Sequence, residues 1–344
     1  MTDKETIEQV LPQIARWYAA IRRPLPWRSS PTPYQVWISE IMLQQTRIEA
    51  VLPYYRRFLQ AFPDIASLAS ADEDRLLKLW EGLGYYSRAK NLKKAAVMVM
   101  ENHGGQLPAS VAELKKLPGI GEYTAGAVAS IAFGLPEPAV DGNVLRVAAR
   151  LLADDRDVLD PAVRRSVASL LRESYPAGPD AALVTEGLME LGETLCLPHG
   201  VPHCGDCPVR DLCRARISGL VEKLPVRGTL RIRRVEQRTV LLLRCGEKTA
   251  LRRRSSKGLL AGMWEFPSWE GTLSVKDVLS LFPEALAVTP CGKSRHVFTH
   301  VEWQMAGYFV ELPYPSDGFL WAGSEEIRQQ FAVPSAFRAF LNLL

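Results

Sequence analysis

The first 223 residues carry the hydrophobic pattern of helices. Ile7, Val10, Leu11, Ile14 and Tyr18 recur at steps of three and four residues, which places them on one face of a helix. The same periodicity runs through residues 76–79, 92–100 and 163–171, and Pro and Gly residues separate these segments. We therefore predict a mainly helical region over residues 1–223.

The pattern changes after residue 223. Residues 224–236 read as a linker, and the run Thr239–Leu243 predicts a buried strand. Residues 297–309 are rich in β-branched and aromatic side chains and also predict a strand, whereas 325–344 return to a helical pattern that Pro334 interrupts. We predict a second domain, of mixed α+β class, over residues 237–344.

Size and composition agree with this division. A chain of 344 residues predicts about two domains, and 47% hydrophobic with 23% charged residues is ordinary for a globular protein. No apolar run reaches about 18 residues, and the amphipathic N-terminus with its early acids is not a secretory signal. We expect a cytoplasmic protein without a membrane partner. The net charge of +4 permits a nucleic-acid partner without demanding one.

A glycine-bracketed turn lies between two short helical patterns over residues 110–133. Gly119 and Gly121 flank Ile120, and glycine lets the backbone approach another molecule closely because it has no Cβ. The N–H groups at the start of the following helix, Thr124–Phe133, would face a phosphate. The pattern favours a DNA-binding helix-hairpin-helix; the alternative is an ordinary corner between two helices.

Four cysteines lie within the segment 196–213, with the spacing C-x7-C-x2-C-x5-C: Cys196, Cys204, Cys207 and Cys213. Such clustering indicates a metal centre in a reducing compartment rather than a disulfide framework. Zinc sites usually contain two C-x2-C pairs, and this segment has one, which favours a 4Fe–4S cluster over zinc. Cys245 and Cys291 lie in the second domain, where small core residues are the better interpretation.

Two carboxylates are candidates for catalysis. Glu40 is the one acid in an apolar helical stretch, where desolvation would raise its pKa and suit it to act as a general acid. Asp141 precedes a new helix, where it should stay ionised and could stabilise a developing cation. The alternatives are a solvated helix face for Glu40 and an ordinary N-cap for Asp141.

At these residues the chain resembles the MutY family of adenine DNA glycosylases, in the superfamily that also holds the endonuclease III enzymes. The similarity extends over nearly the whole chain. It is carried by PWR (26–28), SEIMLQQT (39–46), EGLGYYSRA (81–89), LPGIGEYTAGAV (117–128), AVDGNV (139–144), the four cysteines and GLLAGMWEFP (258–267). It implies a mainly α helix-hairpin-helix glycosylase with an iron–sulfur loop, followed by a Nudix-like α+β domain.

The resemblance also implies an activity. The family removes adenine mispaired with 8-oxoguanine, or with guanine, from double-stranded DNA after flipping the base out of the helix. The position of Glu40 protonates the adenine at N7, and that of Asp141 stabilises the oxocarbenium-like sugar, as in retaining glycosidases. We expect a monomeric enzyme associated with the bacterial nucleoid.

Further roles follow from the same resemblance. Catalysis would be supported by Tyr123 and Asn143, and adenine would be contacted by Trp27, Arg28 and Glu186. The residues that would contact DNA are Leu43, Gln45, Tyr85, Gly119 and Gly121. Recognition of 8-oxoguanine would fall to Phe298, Thr299 and His300. The 4Fe–4S cluster would support a DNA-binding loop.

Three positions depart from related patterns. Superfamily members that also cleave the strand carry a lysine nucleophile where this chain has Tyr123, so we predict a monofunctional glycosylase. Thr299 replaces the usual serine of a Phe-Ser-His triplet, which keeps the hydroxyl and stiffens χ1. Seven residues, in place of six, separate the first two cysteines. The C-terminal domain also lacks the REx2EE carboxylates of Nudix hydrolases, so it should recognise rather than hydrolyse.

Two other functions remain open from the sequence. One is an endonuclease III-like glycosylase and lyase for oxidised pyrimidines, against which Tyr123 and the C-terminal domain argue. The other is a lesion-binding protein without catalysis.

Overall fold

The computed structural model describes residues 1–29, 31–228 and 233–344, so residues 229–232 of the predicted linker lie outside the described residues. The chain forms two compact units. One comprises Met1–Val51, Leu59–Ala69 and Asn91–Thr229, and the other comprises Leu52–Phe58, Ser70–Lys90 and Leu230–Leu344. The domain boundaries expected at residues 223 and 237 stay predictions.

Helices dominate the chain up to residue 217. They are α1 (Asp3–Ile21), α2 (Pro33–Leu43), α3 (Ile48–Ala61), α4 (Ile65–Ala69), α5 (Glu73–Trp80), α6 (Ser87–Asn102), α7 (Val111–Leu114), α8 (Glu122–Phe133), α9 (Gly142–Leu152), α10 (Pro161–Arg172), α11 (Pro179–Thr194) and α12 (Arg214–Ile217). The predicted helical region is confirmed. Local chemistry sets several helix starts: Thr2 and Thr32 each form a capping box, with Glu5 and Gln35 respectively.

The core of the first unit lies where α1, α9 and α11 meet. The apolar face of α1 that the periodicity predicts is buried there: Ile7, Val10, Leu11 and Ile14 are at most 2% exposed. Val144 and Val147 of α9 and Leu188 and Leu191 of α11 fill the other sides. This packing fixes α9 and α11, which carry several of the predicted site residues.

Strands and short helices form most of the second unit. They are β1 (Arg234–Cys245), β2 (Lys248–Arg253), β3 (Trp264–Glu265), β4 (Ser268–Glu270), α13 (Val275–Leu281), β5 (Ala287–Val297), β6 (Val301–Glu311), β7 (Leu320–Gly323), α14 (Ser324–Gln330) and α15 (Arg338–Leu341). The sheet order is β3-β2-β1-β6-β5, with β4 paired to β1 and β7 to β2. The long central pair β1 and β6 is parallel, and β5 and β6 are antiparallel.

The central strand is buried on both faces. Val240 and Leu242 join one core with Trp303 and Phe337, while Leu241 and Leu243 join another core. The sequence of a strand that is covered on both faces is a continuous apolar run, because neither face alternates with solvent-exposed polar residues. The run Thr239–Leu243 therefore marked the correct element.

The sequence interpretation missed one long strand and misplaced another. β5 was not predicted, because Pro290 and Gly292 interrupt it; the structure accommodates them at an irregularity in the pairing with β6. The strand expected over 297–309 is instead the end of β5, a turn and β6, since the Phe298 N–H bonds the Val301 carbonyl at 2.8 Å. The helical ending is confirmed in shorter pieces, α14 and α15.

Among the described residues, no helix is long and apolar enough to cross a membrane. The cytoplasmic, nucleoid-associated location and the monomeric state stay predictions.

Candidate active site

Glu40 is buried within α2. Its side chain is 5% exposed, and its neighbours on α2 from Val36 to Met42 are all buried, so the solvated-face alternative is wrong. Burial raises the pKa of Glu40 to about 7, opposed by a hydrogen bond from Tyr123 and assisted by the negative charges of Glu186 and Asp141. A carboxyl group with this pKa can hold and release a proton near neutrality.

Tyr123 lies directly against this acid. It is the second residue of α8, and its hydroxyl donates a hydrogen bond of 2.6 Å to Glu40 Oε2. Burial, and secondarily the charge of Glu40, raises the pKa of Tyr123 well above its usual value, so the phenol stays neutral. A neutral phenol can orient the carboxyl group without removing its proton.

Asp141 caps the N-terminus of α9. Its Oδ1 accepts a 2.8 Å hydrogen bond from the Val144 N–H, and its Oδ2 accepts one of 3.2 Å from the Asn143 amide. Asp141 is thus an N-cap, as the alternative interpretation states, but this position does not determine the direction in which its pKa is shifted. Burial raises the pKa of Asp141, and the N–H groups of Val144 and Asn143 oppose that effect without overcoming it. The sequence predicts that the position at a helix start determines the pKa of Asp141, whereas desolvation has the larger effect in the structure.

Arg28, Trp27 and Glu186 are also buried in the first unit. Arg28 and Trp27 are 8% and 4% exposed in the loop after α1, and Glu186 lies on α11. Arg28 Nε is 3.7 Å from Glu186 Oε1. The charges of Arg28 and Glu186 both act on the pKa of Glu40, in opposite directions, so the structure brings these residues into one electrostatic site.

Two buried arginines of α9 were missed by sequence reasoning. Arg146 Nη2 donates 2.8 Å and 2.7 Å hydrogen bonds to Asn143 Oδ1 and the Gly192 carbonyl, and its Nε donates one of 2.8 Å to the Cys196 carbonyl. One turn further, Arg150 Nη1 donates to Cys196 Sγ at 3.2 Å. The spacing of residues 143, 146 and 150 on one helix face was the available signal.

Gln45 and Tyr85 share a rare backbone conformation. Their φ angles are 57° and 47°, in the left-handed region that non-glycine residues seldom adopt. Both are exposed, Tyr85 at 46%. Leu43 is the half-buried last residue of α2, two positions before Gln45. Strained, exposed polar and aromatic residues at the ends of elements are typical of ligand-contacting positions.

The hairpin glycines occupy the turn between α7 and α8. Gly119 has φ +82°, and a Cβ there would lie 2.8 Å from the Asn91 Cβ, so both conformation and space require glycine. Gly121 is the N-cap of α8, and a Cβ added to it would meet nothing within 4 Å among the described atoms. The surface beside Gly121 is therefore open to another molecule.

The four clustered cysteines line one cavity, together with Val147, Leu191 and Val209. Burial raises the pKa of the Cys207 thiol to about 11, and the three other sulfurs act in the same direction, which reflects their proximity. The seven residues between Cys196 and Cys204 form a mostly exposed loop. The loop is closed by a 2.9 Å hydrogen bond from the His203 N–H to the Leu195 carbonyl. No three His, Cys, Asp or Glu side chains in the described ranges converge on a single-ion site.

The predicted recognition triplet, Phe298 to His300, forms the turn between β5 and β6. It is not part of a strand, which was the alternative interpretation. The Phe298 ring packs edge-on against His296 and Trp303, with ring centroids 4.6 Å and 4.9 Å apart. The Thr299 and Tyr85 hydroxyls are 3.2 Å apart, and His300 is exposed. These residues line a cavity of about 500 Å³ within the second unit.

Comparison with known proteins defines the class. A model of HhH-GPD superfamily base excision DNA repair proteins matches residues 38–173, and a NUDIX domain model matches residues 239–343. A thermostable thymine-DNA glycosylase is 26% identical and aligns over 62% of this chain and 98% of its own, with a TM-score of 0.54. Endonuclease III trapped covalently on DNA is 25% identical over 64% of this chain and 100% of its own, with a TM-score of 0.52. This chain is a DNA glycosylase.

The family follows from a sequence relative. Human adenine DNA glycosylase is 33% identical to this chain over 94% of this chain and 72% of its own length. The chain belongs to the adenine DNA glycosylase family of base-excision-repair enzymes, which confirms the resemblance read from its motifs.

Proposed function

We propose that this enzyme hydrolyses the N-glycosidic bond of adenine opposite 8-oxoguanine, and opposite guanine, in double-stranded DNA. One observation carries the proposal: the buried carboxyl of Glu40 has a pKa of about 7, and a second carboxyl, Asp141, acts on it electrostatically. Two carboxyl groups in different environments are what enzymes that hydrolyse glycosidic bonds use, one as general acid and the other to stabilise the cationic sugar.

In this mechanism Glu40 is the general acid. Near neutral pH a large fraction of its carboxyl groups is protonated, so it can deliver a proton to N7 of the flipped adenine. The proton makes the base a better leaving group. Tyr123 holds the Glu40 carboxyl by its 2.6 Å hydrogen bond and borders the sugar.

Asp141 then stabilises the cationic sugar. As the C1′–N9 bond breaks, its electrons leave with the base, and positive charge develops on the deoxyribose ring. The Asp141 carboxylate, oriented by Val144 and Asn143, faces that charge and can form a transient bond to C1′. Water then attacks C1′ and displaces the Asp141 carboxylate, while the proton of the water passes to Glu40, which is thereby protonated again. The products are free adenine and an abasic site.

Polar residues around the acid recognise the base. The buried Arg28 guanidinium offers N–H donors, the Glu186 carboxylate offers acceptors, and Trp27 supplies an aromatic surface. Adenine presents both acceptors and an amino donor on its edges, so this set is complementary to it.

The exposed residues described above contact the duplex in this proposal. Gly119 and Gly121 bring backbone N–H groups at the start of α8 to a phosphate. Leu43 and Gln45 of the first unit enter the duplex beside the mispair, where they fill the space that the flipped base leaves. Tyr85 of the second unit also contacts DNA.

The second unit recognises 8-oxoguanine. Phe298 offers a ring for stacking, and Thr299 and His300 offer hydrogen-bonding groups beside the 500 Å³ cavity. The Thr299 hydroxyl, which shares a hydrogen bond with Tyr85 in this structure, would exchange that partner for the oxidised base.

The reaction ends at the abasic site. A strand-cleaving glycosylase needs an amine nucleophile to form a Schiff base, and Tyr123 occupies the position of that amine. We therefore infer monofunctional chemistry, unlike the endonuclease III relative that was trapped in a covalent complex with DNA.

Incubation with a duplex containing A opposite 8-oxoguanine should give strand breaks at the A only after hot alkali, because alkali cleaves the abasic product. A second duplex with A opposite guanine should also be cut. Gel analysis with and without alkali checks the result. Breaks without alkali would contradict the monofunctional inference. Cleavage of a third duplex that contains an oxidised pyrimidine, with both A-containing duplexes left intact, would support the endonuclease III-like alternative.

We further propose that Cys196, Cys204, Cys207 and Cys213 hold a 4Fe–4S cluster. The fit is favourable because all four line one cavity. The segment contains one C-x2-C pair, whereas zinc sites usually contain two, which supports the cluster over zinc. The group would brace the loop 196–213, and the carbonyl and sulfur of Cys196 would connect it to Arg146 and Arg150.

Anaerobically purified protein should be brown and contain about four iron atoms per chain. Cys207→Ser should lose the visible absorbance and most of the iron, whereas the matched variant Cys245→Ser in β1 should keep both. Iron analysis and visible spectroscopy check this. A colourless, active, zinc-loaded preparation would contradict the cluster.

A further inference from the structure

A row of alternating charges joins the end of α1 and the loop after it to α11. Its acids, Glu186, Glu190 and Glu193, are spaced four and three residues apart and so share one helix face. Its bases are Arg22, Arg23 and Arg28. We call this row the charge ladder.

Glu190 is the buried centre of the charge ladder. Its side chain is 1% exposed and contacts two guanidinium groups. Arg23 Nη2 and Arg28 Nη2 donate hydrogen bonds of 2.9 Å and 3.0 Å to the same oxygen, Oε2, and Arg23 Nε lies 2.7 Å from Oε1. Glu193, at the outer end, is 40% exposed and lies 3.2 Å from Arg23. Charge-assisted hydrogen bonds are strong where water is excluded, so Glu190 restrains its partners far more than Glu193 does.

Arg28 is shared unequally between two acids. Its bond to Glu190 is 3.0 Å, whereas its Nε is 3.7 Å from Glu186, which in turn lies 3.0 Å from Arg22. The Tyr18 ring lies under the guanidinium, 5.3 Å from Arg28 Cζ. The remaining nitrogen, Nη1, is buried and has no hydrogen-bond partner among the described residues. A buried donor without a partner is uncommon in folded proteins, and an acceptor atom on a bound ligand would satisfy it.

We propose that Glu190 is a positioning residue for base recognition: it holds Arg28 by Nη2 and so keeps Nη1 free for an acceptor atom of the purine. The inference rests on the proposed function, in which Arg28 contacts adenine. Arg23 completes the arrangement, since it shares Oε2 with Arg28 and also lies against Oε1, so that it neutralises Glu190 and fixes the orientation of that carboxylate.

The same geometry connects Glu190 to proton transfer. The groups acting on Glu40 come from four places: Tyr123 from α8, Glu186 from α11, Asp141 from the cap of α9, and Arg28 from the loop after α1. Arg28 is the cation of this set, and it lowers the pKa of Glu40. If Glu190 were neutral, Arg28 would lose its nearest counter-charge and act more strongly on Glu40. The pKa of Glu40 would fall, and a smaller fraction would be protonated near pH 7.

Glu190→Gln in the full-length protein tests the proposal under single-turnover conditions, with a duplex containing A opposite 8-oxoguanine. We expect the excision rate to fall at least about tenfold, because a charged hydrogen bond to Arg28 is lost. The alkaline limb of the pH–rate profile should move to lower pH, while duplex affinity changes less than about threefold. Glu193→Gln, with the same chemical change on the same helix face, should match the wild type in rate and pH profile.

A purely structural role predicts a different result. In that case Glu190→Gln would lower activity through the stranded Arg23 charge, the pH limb would stay in place, and Arg23→Gln in the same chain would restore the rate. A positioning role predicts that the double variant, Glu190→Gln with Arg23→Gln, regains thermal stability but keeps a low excision rate. The alkaline limb of its pH–rate profile should stay at the lower pH. A restored rate, or a Glu190→Gln profile identical to that of Glu193→Gln, would overturn the proposal. Absence of excision by the wild type would instead overturn the proposed function.

Discussion

Glu40→Gln is expected to lower the single-turnover rate of adenine excision by about 10²- to 10⁴-fold, the usual contribution of a general acid. The amide has nearly the shape of the acid and can still accept the hydrogen bond from Tyr123, but it has no proton to deliver to the base. The change also removes a buried ionisable group, so folding should be preserved. Thermal unfolding and circular dichroism check that point.

The pH dependence makes the assignment sharper. Glu40 must be protonated to act, and its pKa is about 7, so the wild-type rate should fall as pH rises through about 7. Glu101→Gln, on the exposed surface of α6, is the matched control and should keep both the rate and this limb. Residual activity in Glu40→Gln with an unchanged alkaline limb would show that another group supplies the proton. Retained binding of the mispaired duplex would separate lost chemistry from lost recognition.

The helical framework could be predicted because its signals are local. Periodic apolar residues, capping boxes and the glycine turn at 119–121 each act within a few residues of the backbone that they shape. β5 could not be predicted in this way. Its pairing with β6 satisfies the backbone around Pro290 and Gly292, and that pairing depends on residues far along the chain.

The candidate site likewise has residues that local sequence signals indicate and residues that only the tertiary structure reveals. The motifs indicated Glu40 and Asp141, and the apolar neighbours of Glu40 indicated the direction of its pKa. They did not indicate Arg146, Arg150 or Glu190, because arginine and glutamate on a helix usually face solvent. Their burial follows from how α1, α9 and α11 pack, so only the tertiary structure distinguishes them from surface charges. The desolvation that raises the pKa of Asp141 has the same origin.

Asp141→Asn is expected to lower the excision rate by at least about 10²-fold, because a neutral amide cannot stabilise the positive charge that develops on the sugar. Asparagine caps a helix about as well as aspartate does, so the start of α9 should be retained. Asp160→Asn is the matched control, since Asp160 caps α10 from an exposed position. It makes the same chemical change at a helix start and should leave activity as in the wild type.

Stability should move in the opposite direction to activity at this residue. Burial raises the pKa of Asp141 in the folded state, so the folded protein binds that proton more readily than the unfolded chain does. Ionisation of Asp141 therefore costs stability as pH rises through its folded pKa. Asparagine avoids that cost and loses the weaker of the two hydrogen bonds, the 3.2 Å bond that Oδ2 accepts from Asn143. At neutral pH Asp141→Asn should unfold at the same or a higher denaturant concentration than the wild type, as measured by urea titration. A loss above about 1 kcal/mol would make Asp141 chiefly a structural cap. Equal or greater stability with lost excision would mean that the buried charge is retained for the reaction, at the expense of the fold.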